Sequence, residues 1–125
     1  MLDVITQAQD LLQLLRARRV VVPDAVAVQD YLAGHPDLAA VVLRVADLLQ
    51  RDFGAAEQVA LELYRDQDVA DEYLTYYVRS PSYTDDSIMS RIRKLWTEYG
   101  ADLMDKSGWL LVTTDFDEPV PTDAV

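Results

Sequence analysis

The chain has 125 residues, half of them apolar and 26% charged, with 11 basic side chains against 22 acidic ones and a formal net charge of −11. That length suits one globular domain whose core is large enough to fold without a metal or a disulfide. The sequence has no cysteine and one histidine, which excludes disulfide scaffolds, cysteine-ligated zinc, iron–sulfur clusters, thiol catalysis and multi-histidine metal sites within one chain.

The spacing predicts a first helix over Asp3–Ala17, where Val4, Ile5, Ala8, Leu11, Leu12 and Leu15 recur every three or four residues. Asp3 fits its N-cap, and Arg16, Arg18 and Arg19 gather at its C-terminal end, where the helix dipole favours cations. Val20-Val21-Val22-Pro23 reads as an extended connector. Asp24 then caps a short second helix with Val28, Tyr31 and Leu32 inward, ending at Gly34. Pro36 opens a third helix to Asp52, with Leu38, Val41, Val42, Val45, Leu48 and Leu49 as its core stripe and Gly54 as its stop.

The period then falls from 3.6 to 2, the spacing of a strand. Gln58–Arg65 and Tyr73–Arg79 alternate Val59, Leu61, Leu63 and Leu74, Tyr76, Val78 toward a core, and they read as an antiparallel hairpin across the acidic turn Asp66–Glu72. Thr84-Asp85-Asp86-Ser87 begins a fourth helix that runs to Leu103 through Ile88, Ile92, Leu95 and Tyr99. Trp109–Phe116 reads as a third strand. The expected fold class is α+β: about three N-terminal helices followed by a β-β-α-β unit, giving a three-stranded sheet with a helix packed on it. The expected organisation is a single domain over 1–125, with a helical part at 1–54, a sheet-containing part at 55–117 and a flexible tail at 118–125.

Charge is unevenly divided. Residues 1–52 hold five basic and seven acidic groups, whereas residues 53–125 hold six and fifteen. Such a surface repels duplex DNA and anionic membranes and attracts basic proteins. No apolar run reaches the length of a membrane-spanning helix, and Met1-Leu2-Asp3 does not open a secretory leader. The expectation is a cytoplasmic chain with no cofactor, no membrane and no nucleic acid, but with a protein partner of basic character. Oligomeric state is not legible.

Carboxylates at Asp66, Asp68, Asp71 and Glu72 have the density of a divalent-cation loop. The calcium-loop pattern fails there, because Ala70 and Asp71 stand where an oxygen side chain and a glycine are required. Asp85 and Asp86 could join them in a two-carboxylate centre, although acids in a helix's first turn need no such role. His35 lies between Gly34 and Pro36, and as a catalytic base it would need a partner such as Ser80, Ser82 or Asp37. No Gly-x-Ser-x-Gly elbow occurs, and four glycines cannot build a glycine-rich phosphate loop. Arg91, Arg93 and Lys94 form one basic patch, and Arg16, Arg18 and Arg19 another, both small against the total charge.

The tyrosines remain. The alternation that turns Tyr76 inward puts Tyr73 and Tyr77 on the opposite face with Tyr64 and Glu62, and with Arg79 at the edge. Amphipathic rings on a half-exposed face suit protein recognition; N-terminal helices covering that face would instead make it a core layer. The functional expectation is a non-enzymatic acidic protein-binding module, such as a regulator, inhibitor or antitoxin-like partner of a basic protein. Its binding residues would be Glu62, Tyr64, Tyr73, Tyr77 and Arg79. The alternative is a small metal-dependent enzyme using the clustered carboxylates.

Overall fold

Four apolar stripes at helical spacing and one alternating hairpin each need a partner surface, and they find it in one another. A computed structural model of the chain describes residues 4–53, 57–66, 71–80 and 87–114. The elements in order are α1 (Val4–Ala17), β1 (Val20–Val21), α2 (Ala25–Gly34), a 3-10 turn (Pro36–Leu38), α3 (Ala39–Asp52), β2 (Gln58–Asp66), β3 (Asp71–Arg79), α4 (Ser87–Leu103) and β4 (Leu110–Thr113). The sheet order is β1-β2-β3-β4. β2 and β3 form the central antiparallel hairpin, and β1 and β4 flank it, each parallel to its neighbour.

The class is α+β, but the sheet has four strands rather than three. The additional strand is Val20–Val21, read from sequence as a connector; Val20 pairs with Val59 and Val21 with Ala60. Its β-branched residues favour an extended chain, and Pro23 has no N–H to continue the ladder. This strand lies within residues 1–54, so that stretch is not purely helical.

Three further expectations are corrected. Pro36 opens a 3-10 turn, and the α-helix starts only at Ala39. The last strand begins at Leu110, one residue late, because the Trp109 N–H is bound by the Tyr31 hydroxyl at 3.1 Å. Leu63, expected in the core, is only partly buried. β1 pairs with the start of β2 alone, so no strand lies beside Leu63 on that side. Asp3, Gly54, Ser82, Thr84, Asp85, Asp86, Phe116 and the tail 118–125 lie outside the described residues, as does the hairpin connection 67–70.

The core is one cluster. Leu11, Leu12 and Leu15 of α1, Val28 and Leu32 of α2, Val41, Val42, Val45 and Leu49 of α3, and Ile92, Leu95, Tyr99 and Leu103 of α4 meet Val20, Leu61, Leu74, Tyr76, Val78, Leu110 and Val112 of the sheet. Strand register places all seven sheet residues on one face. The helices therefore occupy a single side of the sheet.

Polar groups inside this cluster are paired, as burial requires. The Tyr76 hydroxyl donates to the Val42 carbonyl at 2.8 Å, and burial pushes its pKa well above the usual phenol value. Burial likewise pushes the Tyr99 phenol up to about 12, against the opposing effect of its hydrogen bond with the Val112 backbone. Asp24 caps α2 by accepting from the Ala27 N–H at 3.2 Å. Arg19 adopts the left-handed conformation, φ 63°, where the chain leaves α1 for β1; a side chain there is strained by about 1–2 kcal/mol.

Gly108 marks a close approach between parts of the chain distant in sequence. A Cβ there would lie 2.7 Å from Leu38 Cδ1, 2.8 Å from the Tyr31 hydroxyl and 3.1 Å from His35 Cγ. Leu38 is fully buried, and the Tyr31 hydroxyl also faces the Glu72 carbonyl at 3.4 Å, so neither has room to yield. Gly108→Ala is expected to cost about 1–3 kcal/mol, as overpacking does. Urea denaturation measures it, and a loss within about 0.5 kcal/mol would show that the corner accommodates a methyl group.

Candidate protein interface

β2 and β3 run antiparallel in a register that sets Ala60 opposite Tyr77, Glu62 opposite Thr75 and Tyr64 opposite Tyr73. On β4, Leu111 and Thr113 are the partners of Thr75 and Tyr77. These residues share the sheet face turned away from the helices, and none of them belongs to the core cluster. The alternation read from sequence thus places Glu62, Tyr64, Tyr73, Tyr77 and Arg79 together. No helix among the described residues packs its apolar stripe on them.

The face has two zones. Tyr64 is 40% exposed and stacks on Tyr73, with ring centroids 4.9 Å apart and planes inclined by 25°. Further along, Arg79 donates to Glu62 Oε2 at 3.1 Å and its guanidinium lies 5.0 Å from the centre of the Tyr77 ring. Arg79 is 8% exposed and is part of the packed surface rather than its edge. A paired, ring-stacked guanidinium can be buried where an unpaired one could not. Thr75, between Tyr73 and Tyr77, is also buried, and its Oγ1 has no hydrogen-bond partner.

His35 does have a polar partner, but not one that sequence proximity suggests. Its Nδ1 lies 3.0 Å from Ser107 Oγ, and that hydroxyl donates to Asp37 Oδ1 at 2.7 Å. The Ser107 amide donates to Asp37 Oδ2 at 2.8 Å. Since the serine proton faces Asp37, the histidine donates to Oγ and does not accept its proton. A serine nucleophile needs the reverse polarity, with the histidine taking the proton. The cluster pins the turn before β4 to the corner between α2 and α3. Ser80 is buried elsewhere, at the end of β3.

The same two hydrogen bonds from Ser107 hold the Asp37 carboxyl below its ordinary value. A carboxylate with a depressed folded-state pKa stabilises above the unfolded value and loses that effect as pH falls through the folded one. The melting difference between wild type and Asp37→Asn should therefore be largest near neutrality and shrink as pH falls below the ordinary carboxylate range. A difference that stays constant across that range would remove Asp37 ionisation from the account.

Among the described residues, no group of three His, Cys, Asp or Glu side chains is placed to hold a metal ion. Of the sequence-proposed ligands, Asp68 is outside the described residues, the register sets Asp66 opposite Asp71, and Glu72 is bound to Arg65 at 3.0 Å. The basic patch of α4 borders a cleft of about 560 Å³ lined by Arg51, Asp52, Arg91, Lys94, Thr97 and Glu98. Arg51 is bound there by Asp52 and Glu98, and Arg91 lies over Phe53 at 4.2 Å and donates to the Asp52 carbonyl. Arg18 of the other patch pairs with Asp47. The cleft's lining sets three basic side chains against two acidic ones. No helix among the described residues is long and apolar enough to cross a membrane.

Comparison with models of protein families, with curated proteins and with solved structures finds no match.

Proposed function

We propose that this chain is a non-enzymatic acidic protein-binding module, a cytoplasmic regulator, inhibitor or antitoxin-like partner of a basic protein, and that the tyrosine face of β2 and β3 is where it binds. The observation that carries this reading is the sidedness of the sheet: the helices pack against Leu61, Leu74 and Tyr76, while Tyr64, Tyr73 and Tyr77 lie on the other face. Tyrosine and arginine are the residues that dominate binding energy in interface centres. The net charge of −11 adds attraction toward a basic protein.

Affinity capture from native lysate tests the reading when wild type and Tyr64→Ala, matched in melting temperature, are run side by side. Wild type should retain a basic protein at about 50 mM salt and release it near 0.5 M, where exposed charges are screened over a few ångströms. The Tyr64→Ala chain should retain much less. Equal retention by both chains, or none by either, contradicts the proposal.

A further inference from the structure

We infer that the cleft between the end of α3 and the middle of α4 binds the phosphoryl group of a small molecule, with Arg91 and Lys94 as its cations. The cleft encloses about 560 Å³, a volume within the range of small-ligand sites. It is built by the two helices that pack on the core side of the sheet, so it is separate from the tyrosine face.

Both acidic residues of the lining are committed to one cation. Arg51 meets Asp52 at 2.7 and 2.9 Å and Glu98 at 2.7 and 3.3 Å. The other two cations are not neutralised within the lining. Arg91 is fixed by its stack on Phe53 and its bond to the Asp52 carbonyl. Its nearest carboxylate, Glu57, stands at 3.6 Å, too far for a hydrogen bond, and 41% of the Arg91 side chain remains in solvent. Lys94 is exposed and pairs with no carboxylate among the described residues. The two lie three positions apart on α4 and so share a face of the helix. Their charges converge on the cleft: the Asp52 carboxyl is held below its ordinary value first by its hydrogen bond with Arg51, and further by the charges of Arg91 and Lys94.

A phosphoryl group carries about two negative charges and three acceptor oxygens, so it can meet a guanidinium edge and an ammonium together. A carboxylate brings one charge and gains less against the nearby Asp52 and Glu98. The net charge of −11 repels an extended polyanion. A single phosphoryl group instead feels mainly the cations within a Debye length, about 8 Å at physiological salt.

The probe is inorganic phosphate, titrated into the full-length chain and followed by amide NMR shifts, beside acetate and chloride at matched ionic strength. Phosphate should move the signals of Arg91, Lys94 and Thr97 to saturation, acetate should bind more weakly, and chloride should leave them in place. Lys94→Gln removes a charge that the fold does not use. It should leave the melting temperature unchanged and weaken phosphate binding about fivefold, the upper range for a solvent-accessible ion pair. Glu98→Gln removes a repelling carboxylate and should strengthen binding. Absence of saturable shifts at Arg91 and Lys94, equal binding of acetate or chloride, or shifts of the same size at Arg16 and Arg19 would overturn the inference. So would indifference to Lys94→Gln, or weaker binding by Glu98→Gln.

Discussion

Replacing Tyr76 with alanine is expected to destabilise the fold by about 3–5 kcal/mol, the loss typical of an aromatic removed from a packed core. The residue has no exposed surface and ranks among the largest fully buried side chains. It sits on β3 under α3, and its hydroxyl is held by the Val42 carbonyl at 2.8 Å. The ring thus fills space between two elements while the hydroxyl fixes their separation. Tyr76→Phe isolates the second role and should cost only about 1 kcal/mol, the net worth of one hydrogen bond. Urea denaturation of both variants measures the two contributions. An alanine variant that loses less than about 1.5 kcal/mol would mean that α3 does not press on this strand as described.

Leu61→Ala is the second large effect, at about 2–5 kcal/mol. Leu61 is fully buried on the central strand β2, and the register sets it directly opposite Tyr76. Its neighbours are held by the sheet on one side and by the helices on the other, so the cavity has little chance to collapse. Because the two side chains are cross-strand partners, their losses should not add. The Leu61→Ala, Tyr76→Ala double variant should depart from the sum by about 0.5–3 kcal/mol, the coupling seen between residues in contact. A single-variant loss under about half a kcal/mol would put Leu61 on the surface. Every residue of β2 would then have to change face, because the side-chain period of a strand is two.

That period is also why the hairpin was legible before the structure. Gln58–Arg65 and Tyr73–Arg79 give several repeats of the alternation, enough to assign Tyr76 to the core and Tyr64, Tyr73 and Tyr77 to the far face, whereas Asp66, Asp71 and Glu72, read as turn, belong to the two strands, whose ends carry polar residues that extend no apolar alternation. The helices were legible for the same reason, since α1, α3 and α4 each run for three turns or more. β1 was not, because two residues carry no period, and its identity as a strand lies in Val59 and Ala60 some forty positions away. Leu63 carried the right pattern, but its burial depended on the length of that unseen neighbour. The Ser107 contact with His35 spans 72 positions, and the tight space around Gly108 is built from α2 and the following turn. Neither leaves a local mark. Gly108 could be read as a turn residue from sequence, but its reason for being glycine is space rather than φ. Of the candidate interface, the face and its members were readable. The seating of Arg79 on Tyr77 and the stacking of Tyr64 on Tyr73 were not, because alternation fixes a face and leaves the rotamers open.

The central claim is that the tyrosine face recognises a protein rather than completing the core. The most direct measurement is a binding titration of Tyr77→Ala with the partner captured by the wild-type chain, corrected for any unfolded fraction. The account predicts binding weaker by about 1–3 kcal/mol with a smaller loss of folding stability, the pattern of an interface residue that supports little of the core. Unchanged affinity, or a weakening fully explained by unfolding, would contradict it.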